Sequence, residues 1–363
     1  GAIADFSGLK KRFLGFFCLT GGALTAAMYF IRAGDYVSGA ILFIAANYAF
    51  AGGNVFYNAL LLEVAHPDDM GKVSGWGWGL GYLGGGLCLA LNLLMLQQPA
   101  WFGIEGETPV YYIFPVVGVW WLLFAIPTFI WVKERPGVRK SAAEHIGAVR
   151  AGFRRLGQTL REVRRYKHLA RFLLAYLLFN EGIETTIISA SIFGAAEIGL
   201  EAAELIQFFL LVQGTAFLGS IFFGYMVDRI GNKKSLLFAI AVWSIIILWA
   251  RFIGIFGSEV KEFYILGIIT GSVMGGSQSA ARSLMGWFTP EDRSAEFFGF
   301  FAVCGKFAAM VGPAVYGTAI TITGSLRSGI LVLLVFFLAG GLLLLTVNES
   351  KGLVAAGKFK TEN

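Results

Sequence analysis

Ten stretches of about twenty or more mostly apolar residues run along this 363-residue chain, at 12–31, 36–64, 72–96, 111–132, 169–194, 203–226, 234–256, 262–288, 294–321 and 327–347. That is the length a helix needs to cross a bilayer. Lipid offers no partner to a backbone N–H or C=O, so each stretch must close its hydrogen bonds within itself, as a helix does. Composition agrees: 56% of residues are hydrophobic and 14% charged, against about 25% charged in a soluble domain. The expected fold class is an all-α membrane protein embedded in a lipid bilayer.

The charge pattern orients it. If the opening GAIADFSGLKKR is cytoplasmic, the loops and span edges on that side carry 22 of the 29 Lys and Arg residues. The other side carries Arg32, Arg251, Lys261 and Arg327, while Arg171, Arg282 and Lys306 fall within the spans. Cytoplasmic loops of membrane proteins concentrate Lys and Arg. The formal charge of +6 therefore calls for no nucleic acid. Cys18, Cys88 and Cys304 sit far apart in apolar runs, as packing residues do, with neither metal spacing nor a disulfide framework. No His pair, activated nucleophile or Walker motif is present, so neither an enzyme nor a cofactor is expected.

A loop recurs at a fixed offset. Gly1, Asp5, Gly8, Lys10 and Lys11 match Gly224, Asp228, Gly231, Lys233 and Lys234, each displaced by 223 residues. "HPDDM" and "TPEDR" align Pro67, Asp68 and Asp69 with Pro290, Glu291 and Asp292 at the same displacement. Two parallel homologous halves follow, as in large transporter folds. Two spans precede Gly224, so the repeat leads one to expect two more before Gly1, about 54 residues, in a twelve-span protein with its N-terminus missing here. The expected domains are 1–132, the last four spans of an N-terminal bundle; 133–168, a basic linker; 169–348, a C-terminal six-helix bundle; and 349–363, a cytoplasmic tail. The linker holds 11 Lys or Arg residues and an apolar stripe of Ile146, Val149, Phe153, Leu156, Leu160 and Val163. That spacing predicts an amphipathic helix on the cytoplasmic face, drawn to anionic lipid.

The GxxxDxxGxKK loop in each half resembles the signature of the major facilitator superfamily. "YNALLLEVAHPDDMGKVSGWGWGLGYLGGG" (57–86), "RFLLAYLLFNEGIETTI" (171–187) and "GGSQSAARSLMGWFTPEDRSAEFFGFFAVCGKFAAMVGP" (275–313) resemble the bacterial relatives of fungal vacuolar amino-acid effluxers. Leu62 stands where that pattern has Pro, and Glu181 and Glu184 where Asp and Gln are usual. The resemblance implies the major facilitator fold of two six-helix bundles, with about ten of twelve spans in this chain. It implies a monomeric secondary transporter of the bacterial cytoplasmic membrane that exports a small solute, amino acids among them, by alternating access. In such a fold Asp5 and Asp228, with the Gly and Lys residues around them, are gating groups. A transporter-like sensor that binds a solute without moving it is the rival reading.

Ionisable groups inside spans cost about 2.5–3.5 kcal/mol on insertion scales and are functional candidates for that reason. Asn180, Glu181 and Glu184 lie near the middle of one span. Burial disfavours a charged carboxyl, which lets it take and release a proton as access alternates. Glu181 is the expected proton or ion-coupling group, its alternative being a structural Glu satisfied by polar neighbours. Asn47, Asn54 and Asn58 are spaced for one helix face, as a cavity lining or as interhelical glue. Gln278 and Arg282 are four apart; Arg282 can clamp a carboxylate or snorkel to the surface. Lys306, a dozen residues into its span, requires a Glu partner, a substrate or water. The GxGxxG at Gly79–Gly84 lies inside a span, not between a strand and a helix. Gly77, Gly81 and Gly85, every fourth residue, are expected to form a groove for a neighbouring helix instead.

Overall fold

The computed structural model describes residues 1–104, 109–134 and 165–358. The amphipathic stripe from Ile146 to Val163 lies outside them. The long helices are α1 (Lys10–Ala27), α2 (Tyr36–Ala59), α3 (Met70–Gln97), α4 (Val110–Trp131), α5 (Lys167–Ala196), α6 (Ala202–Ile230), α7 (Asn232–Arg251), α8 (Glu259–Phe288), α9 (Ser294–Thr323) and α10 (Leu333–Leu345), followed by the short α11 (Glu349–Ala355). Among the described residues, nine helical segments are long and apolar enough to cross a membrane. The tenth expected stretch forms α8, a 30-residue helix, yet is not one of the nine. Its second half, GGSQSAARS, exchanges apolar side chains for small and polar ones, and that exchange is what fits it for a protein-facing role.

Both copies of the repeated loop turn on a glycine. Gly8 (φ 62°) ends the short helix Ala2–Ser7, and Gly231 (φ 92°) ends α6. A side chain at positive φ is strained, which accounts for a Gly at the same place in each half. Each α-helix that follows opens on basic residues whose amides need acceptors. Lys10 and Lys11 N–H groups donate to Glu134 at 2.6 and 3.3 Å, and the Lys233 N–H donates to Glu349 at 3.1 Å. In return Lys11 Nζ donates to the Phe129 and Val132 carbonyls at the end of α4, and Lys233 Nζ to the Leu345 and Val347 carbonyls at the end of α10.

Contacts gather the chain into two units. The first comprises Gly1–Val64, Gly85–Thr159 and Asp292–Gly299. Within it α1 packs on α2 and α4, through a Phe13–Phe56 stack at 5.3 Å and Gly21 beneath the Trp121 ring. The second comprises Ala65–Gly84, Leu160–Glu291 and Phe300–Asn363. There α6 lies along α8, α10 along α5, and α7 beside α8. Trp243, Phe172, Phe179, Phe288 and Phe337 are fully buried in it.

Small residues let α6 and α8 approach closely. A Cβ on Gly275 would strike the Ala216 carbonyl and Ser220 Oγ, one on Gly271 the Val212 carbonyl and Thr215 Oγ1, and one on Gly219 the Ser272 backbone. Such a seam has no room for a larger residue. Gly275→Leu is expected to destabilise by about 1–3 kcal/mol, the range for overpacking, and to lower the unfolding temperature in detergent. Gly214→Ala, where nothing lies within 4 Å, is expected to leave it unchanged.

The glycine groove of α3 is set one face away from the expected one. A Cβ on Gly71 would meet Asp228 and the Gly224 carbonyl, one on Gly75 the Ser220 carbonyl, and one on Gly79 Phe217 and Ile221. Gly81 has open space instead. The spacing of four holds, but the face against α6 is Gly71, Gly75 and Gly79, because α3 begins at Met70 and the Asp228 contact fixes its rotation.

Candidate functional site

The charged groups expected inside the spans converge in the second unit. Glu184, on α5, is half-buried; Asn180, one turn earlier on the same helix, and Lys306, on α9, are the polar and charged groups acting on it. Glu184 is in turn the charge acting on the Tyr82 and Tyr176 phenols. Tyr82 Oη donates to Gln278 Oε1 on α8. Asn180, Glu184, Gln278 and Lys306 therefore share one neighbourhood, with two tyrosines that sequence patterning did not mark. Lys306 is itself exposed, so only the Glu184 end of this charge interaction is partly withdrawn from the surface.

Arg282 is not a snorkelling residue. It is 3% exposed; its Nε donates to Ser74 Oγ at 3.0 Å and its Nη2 to the Ser74 carbonyl at 2.6 Å. Ser74 Oγ in turn donates a hydrogen bond to the Ser279 carbonyl at 2.8 Å. The guanidinium carbon lies 5.5 Å from the Trp78 ring centre, and Trp78 stacks on Tyr82 at 5.9 Å. Ser74, Trp78 and Tyr82 are each four apart on α3, so one helix face presents a hydroxyl, an indole and a phenol. A 4.2 Å stack of Tyr176 on Phe301 adds an aromatic wall.

Glu181 takes a different position from Glu184. It is 1% exposed, and its Oε2 accepts from the Gly312 N–H, with the Val311 N–H also directed at the carboxylate. Pro313 sits inside α9 and has no N–H to continue the helical ladder. The carboxylate braces α9 where that proline interrupts it. The three asparagines of α2 separate: Asn47 is exposed and donates to the Phe43 carbonyl at 3.1 Å, whereas Asn54 and Asn58 are half-buried. Among the described residues, no group of His, Cys, Asp and Glu could hold a metal ion.

The sequence profile of the family described as "Vacuole effluxer Atg22 like" matches residues 1–357. This chain belongs to the Atg22-like family. It is 31% identical over 351 residues to the "Uncharacterized MFS-type transporter YxiO" of Bacillus subtilis (strain 168), covering 96% of this chain and 80% of that protein. To "Autophagy-related protein 22-1" of Penicillium rubens it is 25% identical over 299 residues, covering 77% of this chain and half of that longer protein. Its fold is that of the human organic anion transporter MFSD10, with a TM-score of 0.67 at 15% identity over 95% of this chain and 79% of that one. The Escherichia coli fucose:proton symporter FucP gives a TM-score of 0.68 at 13% identity, over 95% and 85%. The Atg22-like chain is thus a transporter of the major facilitator superfamily and a multi-pass integral membrane protein.

Two aspartates of the repeated Atg22-like loops cap helices. Asp228 Oδ1 accepts from the Gly71 N–H at 2.9 Å and Oδ2 from the Lys72 N–H at 3.0 Å, at the start of α3. Asp5 Oδ1 accepts from the Ala295 N–H at 3.0 Å and Oδ2 from the Glu296 N–H at 2.7 Å, at the start of α9. By the 223-residue offset the Asp5 contact sits one residue further along, and Ser294, the counterpart of Gly71, adds its hydroxyl to Asp5 at 3.4 Å. Lys10 Nζ bridges Glu63 at 2.9 Å and Asp5 at 3.7 Å. Gly1 has no room for a side chain against the Ala295 and Glu296 backbone, just as Gly224 has none against Gly71.

At the opposite ends of the helices, Arg327 fastens the second unit. Its Nε donates to Glu197 at 2.6 Å, Nη2 to Glu259 at 2.8 Å and Nη1 to the Ile253 carbonyl at 3.0 Å. Arg327→Ala leaves two carboxylates with no cation between them. Bonds to charged groups are worth about 1.5–3 kcal/mol, and a clear fall in unfolding temperature is expected. Arg327→Lys, which cannot fork between two acids, is expected to recover only part of it.

Proposed function

We propose that this protein is a secondary transporter that moves a small solute across the bacterial cytoplasmic membrane by alternating access, exporting it, with amino acids as the favoured class. The observation that carries the reading is the Glu184–Lys306 pair, set among Asn180, Tyr82, Tyr176 and Gln278 inside apolar helices. Charge is kept at that depth only where it does work or is matched. In this reading the pair receives the charged ends of the solute or a proton, Tyr82 and Gln278 hold its polar flank, and Arg282 positions α3 against α8. Proton coupling falls to Glu184. Glu181, the coupling candidate of the sequence, keeps α9 in shape at Pro313. Asn54 and Asn58 are further candidates for solute contact on α2, and the Asp5 and Asp228 caps serve as gates. The protein works as a monomer. The export element rests on the family's description as an effluxer, and the amino-acid element on the resemblance of 275–313 alone.

The test is the full-length protein in liposomes, given a mixture of labelled amino acids under an imposed pH gradient. Gradient-driven flux supports the reading. Binding without flux for any solute would replace it with the sensor.

A further inference from the structure

We infer that the second unit carries a binding site for the phosphate of an anionic phospholipid at the end of the molecule marked by its basic loops. Four positive groups surround one imidazole there. Arg171, Lys351, Lys167 and Lys233 are the charges acting on His168, and all have the same sign. They come from three elements, with Lys167, His168 and Arg171 on the first turns of α5, Lys233 at the start of α7, and Lys351 on α11. Bringing cations together costs Coulomb energy that a shared anion removes.

The donors divide into those already used and those available to a ligand. Lys233 Nζ is taken by the Leu345 and Val347 carbonyls, and one Arg171 nitrogen by the Thr346 carbonyl at 3.2 Å. His168 Nδ1 accepts from the Asn348 N–H at 3.1 Å. That bond fixes the tautomer, leaving the Nε2–H as a donor. Lys167 and Lys351 are exposed, and each brings an ammonium with three donors. Glu349, on α11, has one carboxylate oxygen taken by the Lys233 amide at 3.1 Å, and the charges acting on His168 are all positive. An imidazole N–H, a guanidinium and two mobile ammonium groups match the oxygens of a phosphodiester.

The place favours a lipid over a soluble phosphate. Lys167 and Arg171 open an apolar helix long enough to span the bilayer, so the cluster sits at headgroup depth. Loop charge assigns this end to the cytoplasmic side, where the leaflet carries anionic lipid and basic pockets between helix ends hold headgroups. Exposed Leu174, one turn beyond Arg171, offers apolar surface to the acyl chains. The site is separate from the Glu184 cluster and does not depend on what the protein transports.

The experiment uses the purified full-length protein in nanodiscs of phosphatidylcholine alone or with phosphatidylglycerol, reading unfolding temperature and, by native mass spectrometry, retained phosphatidylglycerol. The expected result is a higher unfolding temperature with phosphatidylglycerol and a retained lipid. Both are expected to be lost in Lys167→Gln/Lys351→Gln, with an unchanged unfolding temperature in phosphatidylcholine. Each basic residue removed should weaken retention about fivefold, the factor corresponding to about 1 kcal/mol per Lys or Arg at an anionic surface. Arg171→Gln, which removes one positive charge, is an independent second variant, with an expected weakening of retention of about fivefold. Equal retention by wild type and both variants would overturn the site. An equal stabilisation of detergent-solubilised protein by inorganic phosphate would overturn the lipid assignment.

Discussion

Replacing Glu184 with Gln is expected to cut gradient-driven flux about tenfold or more, while leaving a folded protein. The amide keeps the shape of the carboxyl and can still meet Asn180, but it has no charge to set against Lys306. Hydrogen bonds to charged groups are worth about 1.5–3 kcal/mol, and each 1.36 kcal/mol is tenfold in rate, so flux should fall by about tenfold to a hundredfold. Lys306→Met is the harsher change. It leaves half-buried Glu184 without the cation acting on it, and because Lys306 is itself exposed the expected loss of stability is about 1 kcal/mol or less. The double variant Glu184→Gln/Lys306→Met, with neither charge, should recover the stability that Lys306→Met loses but not the flux. Tyr82→Phe removes only the bond to Gln278 and is expected to weaken solute affinity with little effect on stability. Glu181→Gln separates two roles. If Glu181 braces α9 at Gly312, the variant lowers the unfolding temperature and retains pH-driven flux. If flux loses its dependence on the pH gradient in Glu181→Gln and keeps it in Glu184→Gln, proton coupling belongs to Glu181.

Much of this arrangement was legible in the chain. Apolar length announces a span without ambiguity, because lipid accepts nothing but a helix or a closed barrel. The repeated loop was legible because Gly8 and Gly231 need positive φ, and because Asp5 and Asp228 each have a helix start to cap. That Lys306 requires a Glu partner, a substrate or water followed from its place in the span, but which of these, and which Glu, did not. Glu181 and Glu184 are one turn apart, and only the rotation of α5 decides that one faces Lys306 and the other the α9 backbone. Phase is what the sequence of a span hides. When every face is apolar, hydrophobic periodicity cannot say which residues meet lipid and which meet protein. The spacing of four on α3 was therefore read on Gly77, Gly81 and Gly85, whereas Gly71, Gly75 and Gly79 are the glycines set against α6 and Gly81 has open space. Trp78 and Tyr82 were passed over for the same reason, since an aromatic residue in a span suits lipid as well as it suits a site. The repeat of four through Ser74, Trp78 and Tyr82, matched by Gln278 and Arg282 on α8, was the available signal.

The two loop aspartates carry the other large effect. Asp5→Ala removes the acceptor for the Ala295 and Glu296 amides, and Asp228→Ala the acceptor for those of Gly71 and Lys72. Losing such a cap costs about 0.5–2 kcal/mol. Hydrogen exchange at these four amides should accelerate by up to about thirtyfold in the matching variant and remain unchanged at the other pair. Asp5 adds a pH dependence. Burial pushes its carboxyl above the usual range, outweighing the Ala295 and Glu296 amides and the Lys10 ammonium, which pull the other way. A group whose pKa is raised in a contact binds its proton more tightly there than when released. The contribution is complete below the ordinary carboxylate pKa of about 3.9 and is lost as pH rises through the raised value. Mild acid should therefore tighten the Asp5 contact, slowing exchange at Ala295 and Glu296 after correction for the intrinsic rate. Asp5→Asn keeps an acceptor and holds the uncharged form at every pH, so its protection should be flat across that window. If wild type and Asp5→Asn show the same pH profile, Asp5 does not titrate in the contact. If Asp5→Ala leaves Ala295 and Glu296 as protected as before, the cap contributes nothing to holding the start of α9, and its role as a gate fails with it.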